Sequence, residues 1–201
     1  MLVGVVDYHA GNLTSVKSAL SFLNVDFVVS TEPDGLKGCG KLIFPGVGEA
    51  GSAMQVLRGA GWDHFLSDWV KSGKEMLGIC LGHQIIFGQS EESNTACLGL
   101  IPGEVKRFAG GTGLKVPQIG WNTVEREGES PLFRDIPSDA GFYFVHSYYA
   151  VPDDPGMIIG TTDYICRFAS AVQRDSLFSV QFHPEKSGRY GLRLLDNFLK
   201  M

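Results

Sequence analysis

The sequence lacks three patterns that would assign it to large classes of proteins. It has no hydrophobic run near the ~18 residues of a membrane-spanning helix, so we expect no membrane segment. It has no basic run and a net charge of −5, which argues against a nucleic-acid partner. Residues 1–6 carry no basic segment and are followed at once by Asp7, which predicts a buried strand rather than a signal peptide.

Cysteine is also scarce, with four residues in 201, namely Cys39, Cys80, Cys97 and Cys166. No two of them have the spacing Cys-x-x-Cys, so the sequence indicates neither a zinc site nor a disulfide framework. We therefore expect no metal, no cofactor and a reducing, cytoplasmic location. A free cysteine in such a chain can serve as a catalytic group.

The chain is long enough for one α/β domain, and 44% of its residues are hydrophobic. Nearly continuous apolar runs at residues 2–6, 25–29 and 41–44 predict buried strands. Between the first two, apolar residues from Leu13 to Leu23 recur at helical spacing, with Asn12 as a suitable N-cap. Strands of this type alternating with helices predict a parallel sheet that is covered on both faces.

The second half of the chain has a different periodicity. Apolar residues from Trp62 to Val70 still predict an amphipathic helix, but helical spacing then fades until residue 188, where a last helix is expected. Between them lie short β-rich runs at residues 104–108, 115–119, 141–149, 157–162, 170–173 and 177–182. We therefore predict one domain over residues 1–201, with a mostly parallel central sheet flanked by helices and an antiparallel β extension.

The segment Gly78–Gln84 predicts a sharp turn between a strand and a helix, with Cys80 at its apex. The glycines two residues to either side of the apex fit a turn that has no room for a Cβ atom. We expect the thiol to be exposed at the helix N-terminus, where unpaired N–H groups favour a thiolate nucleophile. The alternative is a buried structural cysteine, which is the common fate of this residue type.

A nucleophilic cysteine usually needs a base, and His183 is the best candidate. It lies where an apolar run ends against Pro184, and Glu185 projects to the same side in extended backbone. The three residues then form a triad in which the carboxylate orients the imidazole. The alternative is an exposed His-Pro turn with a surface glutamate.

Hydrolysis of an amide also needs donors for the developing oxyanion. The backbone N–H of Leu81, just after the nucleophile, is one, and the loop Pro45–Gly48 is a second source unless it is a plain strand-to-helix turn. His146 ends an apolar strand and fits a structural histidine as well as a ligand. The remaining cysteines lack an elbow, and we interpret them as structural.

These motifs resemble a known enzyme family. Gly78–Gln84 and His183-Pro184-Glu185 are similar to the class I, or triad, glutamine amidotransferases, which implies a flavodoxin-like fold. More narrowly, the whole chain resembles the glutaminase subunits of imidazole glycerol phosphate synthase, from histidine biosynthesis. That likeness rests on residues 7–16, Pro45–Gly48, Pro117–Asn122, Phe144–Tyr148 and 183–187. Since it extends to about residue 200, we expect no fused synthase domain.

The resemblance implies a role for each matching residue. Cys80 attacks the carboxamide of glutamine to form a thioester, His183 transfers protons and releases ammonia, and Glu185 orients His183. The implied oxyanion hole is lined by Val47, Gly48 and Leu81. The amino-acid end of glutamine is held by Gln84 and by the backbone of Ser147 and Tyr148.

The same resemblance implies a partner, a (β/α)8-barrel cyclase subunit that forms a heterodimer with this chain. Ammonia passes to it unhydrated and joins a ribulosyl phosphate, giving imidazole glycerol phosphate and an aminoimidazole carboxamide ribotide. The residues implied to face this partner or its channel are Asn12, Trp121, Tyr143 and Lys186. Two positions depart from the family pattern. His83 stands where the family more often has methionine, and His9-Ala10 stands where Gly-Met is expected.

Three other functions stay open at the level of sequence. One is a triad glutaminase serving anthranilate, purine or pyridoxal phosphate synthesis, against which Gly120-Trp121-Asn122 argues. Another is a regulatory module that kept the fold and lost catalysis, against which the intact triad argues. The last is a free-standing γ-glutamyl hydrolase, which would turn over without a partner.

Overall fold

The computed structural model describes residues 1–9, 13–111 and 113–201. The predictions for Asn12, as a helix N-cap and as a residue facing the partner, lie outside the described residues. Within the described residues, no helix is both long enough and apolar enough to cross a membrane.

The described residues form fourteen strands and five α-helices. The strands are β1 (Val3–Val6), β2 (Phe27–Ser30), β3 (Lys41–Gly46), β4 (Met76–Cys80), β5 (Gln89–Ser90), β6 (Thr95–Ala96), β7 (Gly103–Arg107), β8 (Gln118–Thr123), β9 (Glu125–Arg126), β10 (Gly141–His146), β11 (Tyr148–Pro152), β12 (Ile158–Asp163), β13 (Arg167–Arg174) and β14 (Leu177–Val180). The helices are α1 (Thr14–Phe22), α2 (Ala50–Gly59), α3 (Trp62–Lys71), α4 (Leu81–Ile85) and α5 (Gly188–Leu199).

Five parallel strands form the centre of the molecule in the order β2-β1-β3-β4-β14. This is the strand order of flavodoxin-like sheets, with β14 in the fifth place. In such sheets ligands bind beyond the carboxyl ends of the strands. Here β3, β4 and β14 end next to one another, with Gly46 opposite Cys80 and Val180 opposite Ile79.

The two faces of the central sheet are buried under different helices, because successive side chains of a strand point to opposite sides. On β3, Ile43 packs with residues of α1 and α5, whereas Leu42 and Phe44 pack with residues of α2 and α3. The apolar face of α3 is buried at Trp62, Leu66 and Trp69, as its helical spacing predicts. The predicted α/β fold with helices on both faces is confirmed.

Beyond β14 the sheet continues in the order β13-β11-β7-β5-β6. These strands pair antiparallel except for β7 and β5, which are parallel. Strand β12 also pairs with β13, and β9 pairs with β12. The predicted antiparallel extension is therefore present, but two details were wrong. The expected strand 141–149 is broken at Ser147 into β10 and β11, and β10 leaves the main sheet to pair with β8. The expected strand 115–119 begins only at Gln118, after Pro117, which has no N–H to donate to a ladder.

The segment after β3 also differs from its prediction. Pro45 and Gly46 belong to the strand rather than to a loop, so only Val47 and Gly48 turn away from the sheet. Helix α2 follows at Ala50, and the sequence analysis did not predict it. Its first turn is capped by Glu49, whose carboxylate accepts hydrogen bonds from the N–H groups of Gly51 and Ser52.

Candidate active site

Cys80 ends β4 in a backbone conformation that few residues adopt, with φ 54° and ψ −105°. The chain then turns directly into α4, whose first residue is Leu81. A Cβ atom on Gly82 would overlap the carbonyl oxygen of Phe44, and one on Gly78 would lie 3.1 Å from the carbonyl oxygen of Gly82. The predicted elbow is therefore present, and it requires glycine at Gly82, whereas a Cβ on Gly78 would require its neighbours to shift by a few tenths of an ångström.

The thiol of Cys80 is buried, with 6% of the residue exposed, so the prediction of an exposed apex was wrong. The end of β10 lies beside it, with Sγ 4.0 Å from the carbonyl oxygen of Val145. On another side, Sγ lies 3.9 Å from the amide nitrogen of Gln181. The thiol still reaches a cavity of about 250 Å³, which it lines.

His183 lies three residues beyond the end of β14, and its side chain is 2% exposed. Its Nδ1 is 2.7 Å from Oε1 of Glu185, whose side chain is 5% exposed. Its backbone N–H donates to the carbonyl of Tyr143 at 2.9 Å, and its own carbonyl accepts from the Ser187 hydroxyl at 2.6 Å. The alternative of an exposed turn is therefore wrong, because the histidine and the carboxylate are both enclosed.

The ionisation of His183 reflects three competing influences. Burial, the largest of them, lowers the pKa of the imidazole, but the negative charge of Cys80, together with the charge and hydrogen bond of Glu185, raises it well above its ordinary value. Its Nε2, the nitrogen not held by Glu185, has no hydrogen-bond partner among the described residues. The imidazole is thus prepared to carry a positive charge beside the sulfur.

The residues predicted for the oxyanion hole lie together along the same cavity. Val47, Gly48 and Leu81 all line it with Cys80. Leu81 is the first residue of α4, where a backbone N–H has no partner within its own helix. Gly48 has a φ of +112°, a conformation open mainly to glycine.

The three residues predicted to hold a ligand's amino-acid end, Gln84, Ser147 and Tyr148, also line this cavity. The amide nitrogen of Gln84 donates to the carbonyl oxygen of Tyr148 at 2.9 Å and to Oε1 of Gln181 at 3.0 Å. Both protons of that amide are therefore used within the protein, so only the amide oxygen of Gln84 remains to meet a ligand.

Glu92 is a cavity-lining residue that the sequence analysis missed. Its carboxylate accepts a hydrogen bond from the N–H of Ala50 at 2.8 Å, at the start of α2. Burial raises the pKa of Glu92, which shows that its negative charge is poorly solvated. A cationic group in the cavity would relieve that cost. No signal in the sequence marks Glu92, since it lies in a polar stretch twelve residues after Cys80.

Two buried histidines support the cavity wall. Burial lowers the pKa of His146 to about 4 despite its bond to Tyr148, so its ring is neutral, and Nδ1 donates to the Tyr148 carbonyl at 2.7 Å. Its Nε2 lies 3.0 Å from the side-chain amide oxygen of Gln118. Burial and then the charge of His146 lower the pKa of His83 to about 3, and its Nδ1 bonds the Ser179 hydroxyl at 2.8 Å.

Trp121, Tyr143 and Lys186 lie outside this cavity. Trp121 and Tyr143 face each other across the β8–β10 pair, with ring centroids 6.1 Å apart, and 62% of Trp121 is exposed. Lys186 lines a second, smaller cavity of about 70 Å³ together with His183 and Glu185. Pro45, Gly46 and Val47 also line that cavity. Val47 is shared by the two cavities, so this segment separates them.

Other features of the described residues offer less chemistry. Cys39, Cys97 and Cys166 are unpaired, and none stands at an elbow. Within the described ranges, no group of three or more His, Cys, Asp or Glu side chains is arranged to hold a metal ion. A larger depression of about 470 Å³ lies along residues 126–135 and contains none of the predicted site residues.

The chain is similar in sequence to known proteins along its whole length. The sequence profile of a family described as "Glutamine amidotransferase class-I" matches residues 5–201. A protein of Dehalococcoides mccartyi named "Imidazole glycerol phosphate synthase subunit HisH" is 44% identical over 201 residues, covering 100% of this chain and 97% of the relative. A protein of the same name from Chlorobaculum tepidum is 43% identical and covers 98% of each chain.

Solved structures are similar in fold. One described as the structure of PurLQS from Thermotoga maritima superposes with a TM-score of 0.79 at 18% sequence identity, covering 99% of this chain and 97% of that one. At this identity the likeness concerns the fold alone.

Proposed function

This chain belongs to the class I glutamine amidotransferase family, and on that premise we propose that it is the glutaminase subunit of an imidazole glycerol phosphate synthase. It hydrolyses L-glutamine to glutamate and ammonia and delivers the ammonia to a cyclase subunit in histidine biosynthesis. The observation that carries the proposal is the strained elbow at Cys80, with its buried thiol. The charge of this sulfur interacts with the imidazole of His183, whose Nδ1 lies 2.7 Å from the carboxylate of Glu185.

The chemistry follows from the positions of the three side chains. Sγ of Cys80 attacks the carboxamide carbon, and the carbonyl oxygen takes the negative charge between the N–H of Leu81 and the Val47–Gly48 segment. Nε2 of His183 gives its proton to the carboxamide nitrogen, the C–N bond breaks, and ammonia departs. The acyl group remains on Cys80 as a thioester. His183 then takes a proton from water, whose oxygen forms the new C–O bond as the sulfur leaves.

The remaining cavity residues fit the amino-acid end of glutamine. The amide oxygen of Gln84 and the carboxylate of Glu92 are acceptors for an ammonium group, and the Ser147–Tyr148 backbone offers a fixed edge. A volume of about 250 Å³ is below the ~300–1,000 Å³ of drug-sized sites, which suits a single amino acid. Glutamine is therefore held at one end while Cys80 acts at the other.

The proposed route for ammonia leads away from this cavity toward the second one. His183 and Lys186 line the second cavity, on the other side of the Pro45–Val47 segment. Trp121 and Tyr143 provide an exposed aromatic surface on β8 and β10, which suits docking of a (β/α)8-barrel partner. The heterodimer would then act as a lyase in the cytoplasm, where four unpaired thiols are stable.

The test measures glutamate release by this chain, alone and with a cognate barrel synthase and its ribulosyl phosphate substrate. We expect weak activity alone and a strong rise when both are present. The variant Cys80→Ser should abolish release, whereas Cys97→Ser, at a half-buried thiol away from the elbow, should not.

The other outcomes separate the alternatives. Full activity of the isolated chain would favour a free-standing hydrolase, and activity indifferent to this synthase would favour a triad glutaminase with another acceptor. If no glutamate is released with Cys80 shown to be unmodified, the chain would be a regulatory module.

A further inference from the structure

One buried polar side chain at the site has no role in the mechanism described so far. Gln181 follows β14 directly, and its backbone N–H donates to the carbonyl of Ser170 at 2.9 Å. The residue is fully buried, and its amide lies between Gln84 and the sulfur of Cys80. A primary amide enclosed in this way needs partners for both its oxygen and its nitrogen.

The orientation of this amide follows from its neighbours. The carbonyl oxygen of Tyr148 can only accept, so the nitrogen of the Gln84 amide must face it, at 2.9 Å. The second proton of that nitrogen points to Gln181 at 3.0 Å, which requires the oxygen of Gln181 on this side. The nitrogen of Gln181 is thereby directed at Sγ of Cys80, 3.9 Å away.

We propose that Gln181 is a further catalytic residue, whose amide N–H donates to the sulfur of Cys80. The bond stabilises the thiolate before it attacks, and again when the C–S bond of the thioester breaks and the sulfur keeps the electron pair. Gln84 fixes the amide in this orientation, so one row of hydrogen bonds joins the nucleophile to the Tyr148 carbonyl. The catalytic role rests on the proposed glutaminase function.

A neutral donor suits this position because His183 already supplies the positive charge. The titratable groups whose charges interact with Cys80 are His183, which follows β14, and Tyr8, which follows β1 and is buried. Glu92 lines the same cavity. An amide adds a donor to the sulfur without adding a charge that would compete with the imidazole for the proton.

Two variants separate the two ends of the Gln181 amide. Gln181→Glu keeps an oxygen facing Gln84 but replaces the donor at the sulfur by a carboxylate. Gln181→Met removes both contacts in a side chain of similar length. The matched controls are Gln55→Glu and Gln55→Met, since Gln55 is exposed on α2.

The first measurement is the rate at which iodoacetamide modifies Cys80 as a function of pH, followed by mass spectrometry of the peptide that contains Cys80. For Gln181→Met we expect a rate at pH 7 that is about threefold to tenfold lower, with the profile moved to higher pH. Gln181→Glu should show a larger displacement, because a carboxylate opposes the thiolate. The Gln55 variants should match the parent chain.

The second measurement is glutamate release in the complex with the synthase. Gln181→Glu should lower kcat and leave KM for glutamine within about twofold, because the contact with Gln84 is retained. A purely structural role would instead lower thermal stability and raise KM without moving the alkylation profile.

The outcomes distinguish this inference from the function on which it rests. Alkylation profiles that coincide with those of the parent chain would overturn the role of Gln181, even if glutaminase activity is found. A displaced profile in a chain that releases no glutamate would keep the N–H···S contact and overturn the proposed function. If circular dichroism shows that both Gln181 variants fail to fold, Gln181 is structural and the proposal is wrong.

Discussion

The two principal groups of the site, Cys80 and His183, are held in place by different means. Cys80 is positioned by its backbone, through an unusual φ of 54° and a glycine that lets α4 approach Phe44. His183 is positioned by hydrogen bonds: its ring bonds the Glu185 carboxylate, its N–H donates to the Tyr143 carbonyl, and its carbonyl accepts from the Ser187 hydroxyl. One position depends on the shape of a five-residue turn, and the other on partners from separate segments.

The difference predicts how each side tolerates substitution. A Cβ atom added at Gly82 cannot be accommodated gradually, because it would overlap the backbone of Phe44. Loss of one hydrogen bond near His183 leaves the others in place, so its effects should be graded.

The largest effect is expected for Gly82→Ala. Its Cβ would overlap the carbonyl oxygen of Phe44, and neither α4 nor β3 can move without disturbing the sheet. We expect a loss of about 3 kcal/mol or more in the free energy of unfolding, measured by urea denaturation. A variant as stable as the parent chain would show that the elbow is more plastic than its contacts indicate.

The next effect is expected for Glu185→Gln. The amide keeps the shape of the carboxylate but not the charge that supports a protonated His183. We expect kcat for glutamate release to fall about 10²–10⁴-fold with the fold retained. Glu127→Gln, which removes a carboxylate from a surface pair with Arg167, is the control and should keep full activity.

The same substitution should change how stability depends on pH. The pKa of His183 is raised in the folded chain, so its ion pair contributes fully below the ordinary histidine pKa of about 6.5 and is lost as pH rises through the raised value. The parent chain should therefore exceed Glu185→Gln in unfolding free energy by more at pH 6 than at pH 10. Denaturant titrations at both pH values check this, and the reverse trend would contradict the ion pair.

A smaller effect on activity is expected for Ser187→Ala. The hydroxyl donates to the carbonyl of His183 at 2.6 Å and accepts from the N–H of Tyr143 at 2.9 Å. Its loss should cost about 1–3 kcal/mol of stability and lower kcat less than tenfold, because Glu185 still holds the ring. Ser72→Ala removes a similar hydroxyl-to-carbonyl bond at the end of α3 and should leave kcat unchanged.

The smallest effect is expected for Gly59→Ala, which should raise the free energy of unfolding rather than lower it. This glycine is at the end of α2, and a Cβ there would meet no atom within 4 Å. Alanine should stabilise the chain by about 0.5–1 kcal/mol, seen as a small rise in Tm, with unchanged kcat. Destabilisation here would weaken the argument that contacts, rather than glycine itself, decide the outcome at Gly82.

The contrast also explains what the sequence could predict. The elbow is a local structure, so the spacing of Gly78, Cys80 and Gly82 predicts it independently of the rest of the fold. The parallel sheet was predictable too, because buried strands are continuously apolar. Helix α2 was not predicted, since Gly51 and Gly59 have low helix propensity and its cap is Glu49, a residue uncommon in that role.

The substrate side of the cavity was harder to predict because distant segments build it. Aromatic and other β-forming residues dominate 141–149, and the polar pair His146-Ser147 alone does not distinguish a break at Ser147 from one continuous strand. Glu92 and Gln181 are ordinary polar residues in sequence and meet Cys80 and Gln84 only after folding. Their positions depend on tertiary contacts that periodicity does not encode.

The exposed ring of Trp121 gives this molecule a built-in optical reporter. Trp62 and Trp69 are buried at 0% and 5% exposure, so only Trp121, at 62%, can change its emission and its quenching by iodide when a surface is covered. The strand opposite it, β10, carries Tyr143, whose carbonyl binds the N–H of His183. Fluorescence can therefore test whether the proposed partner docks on the pair of strands that also helps to position His183.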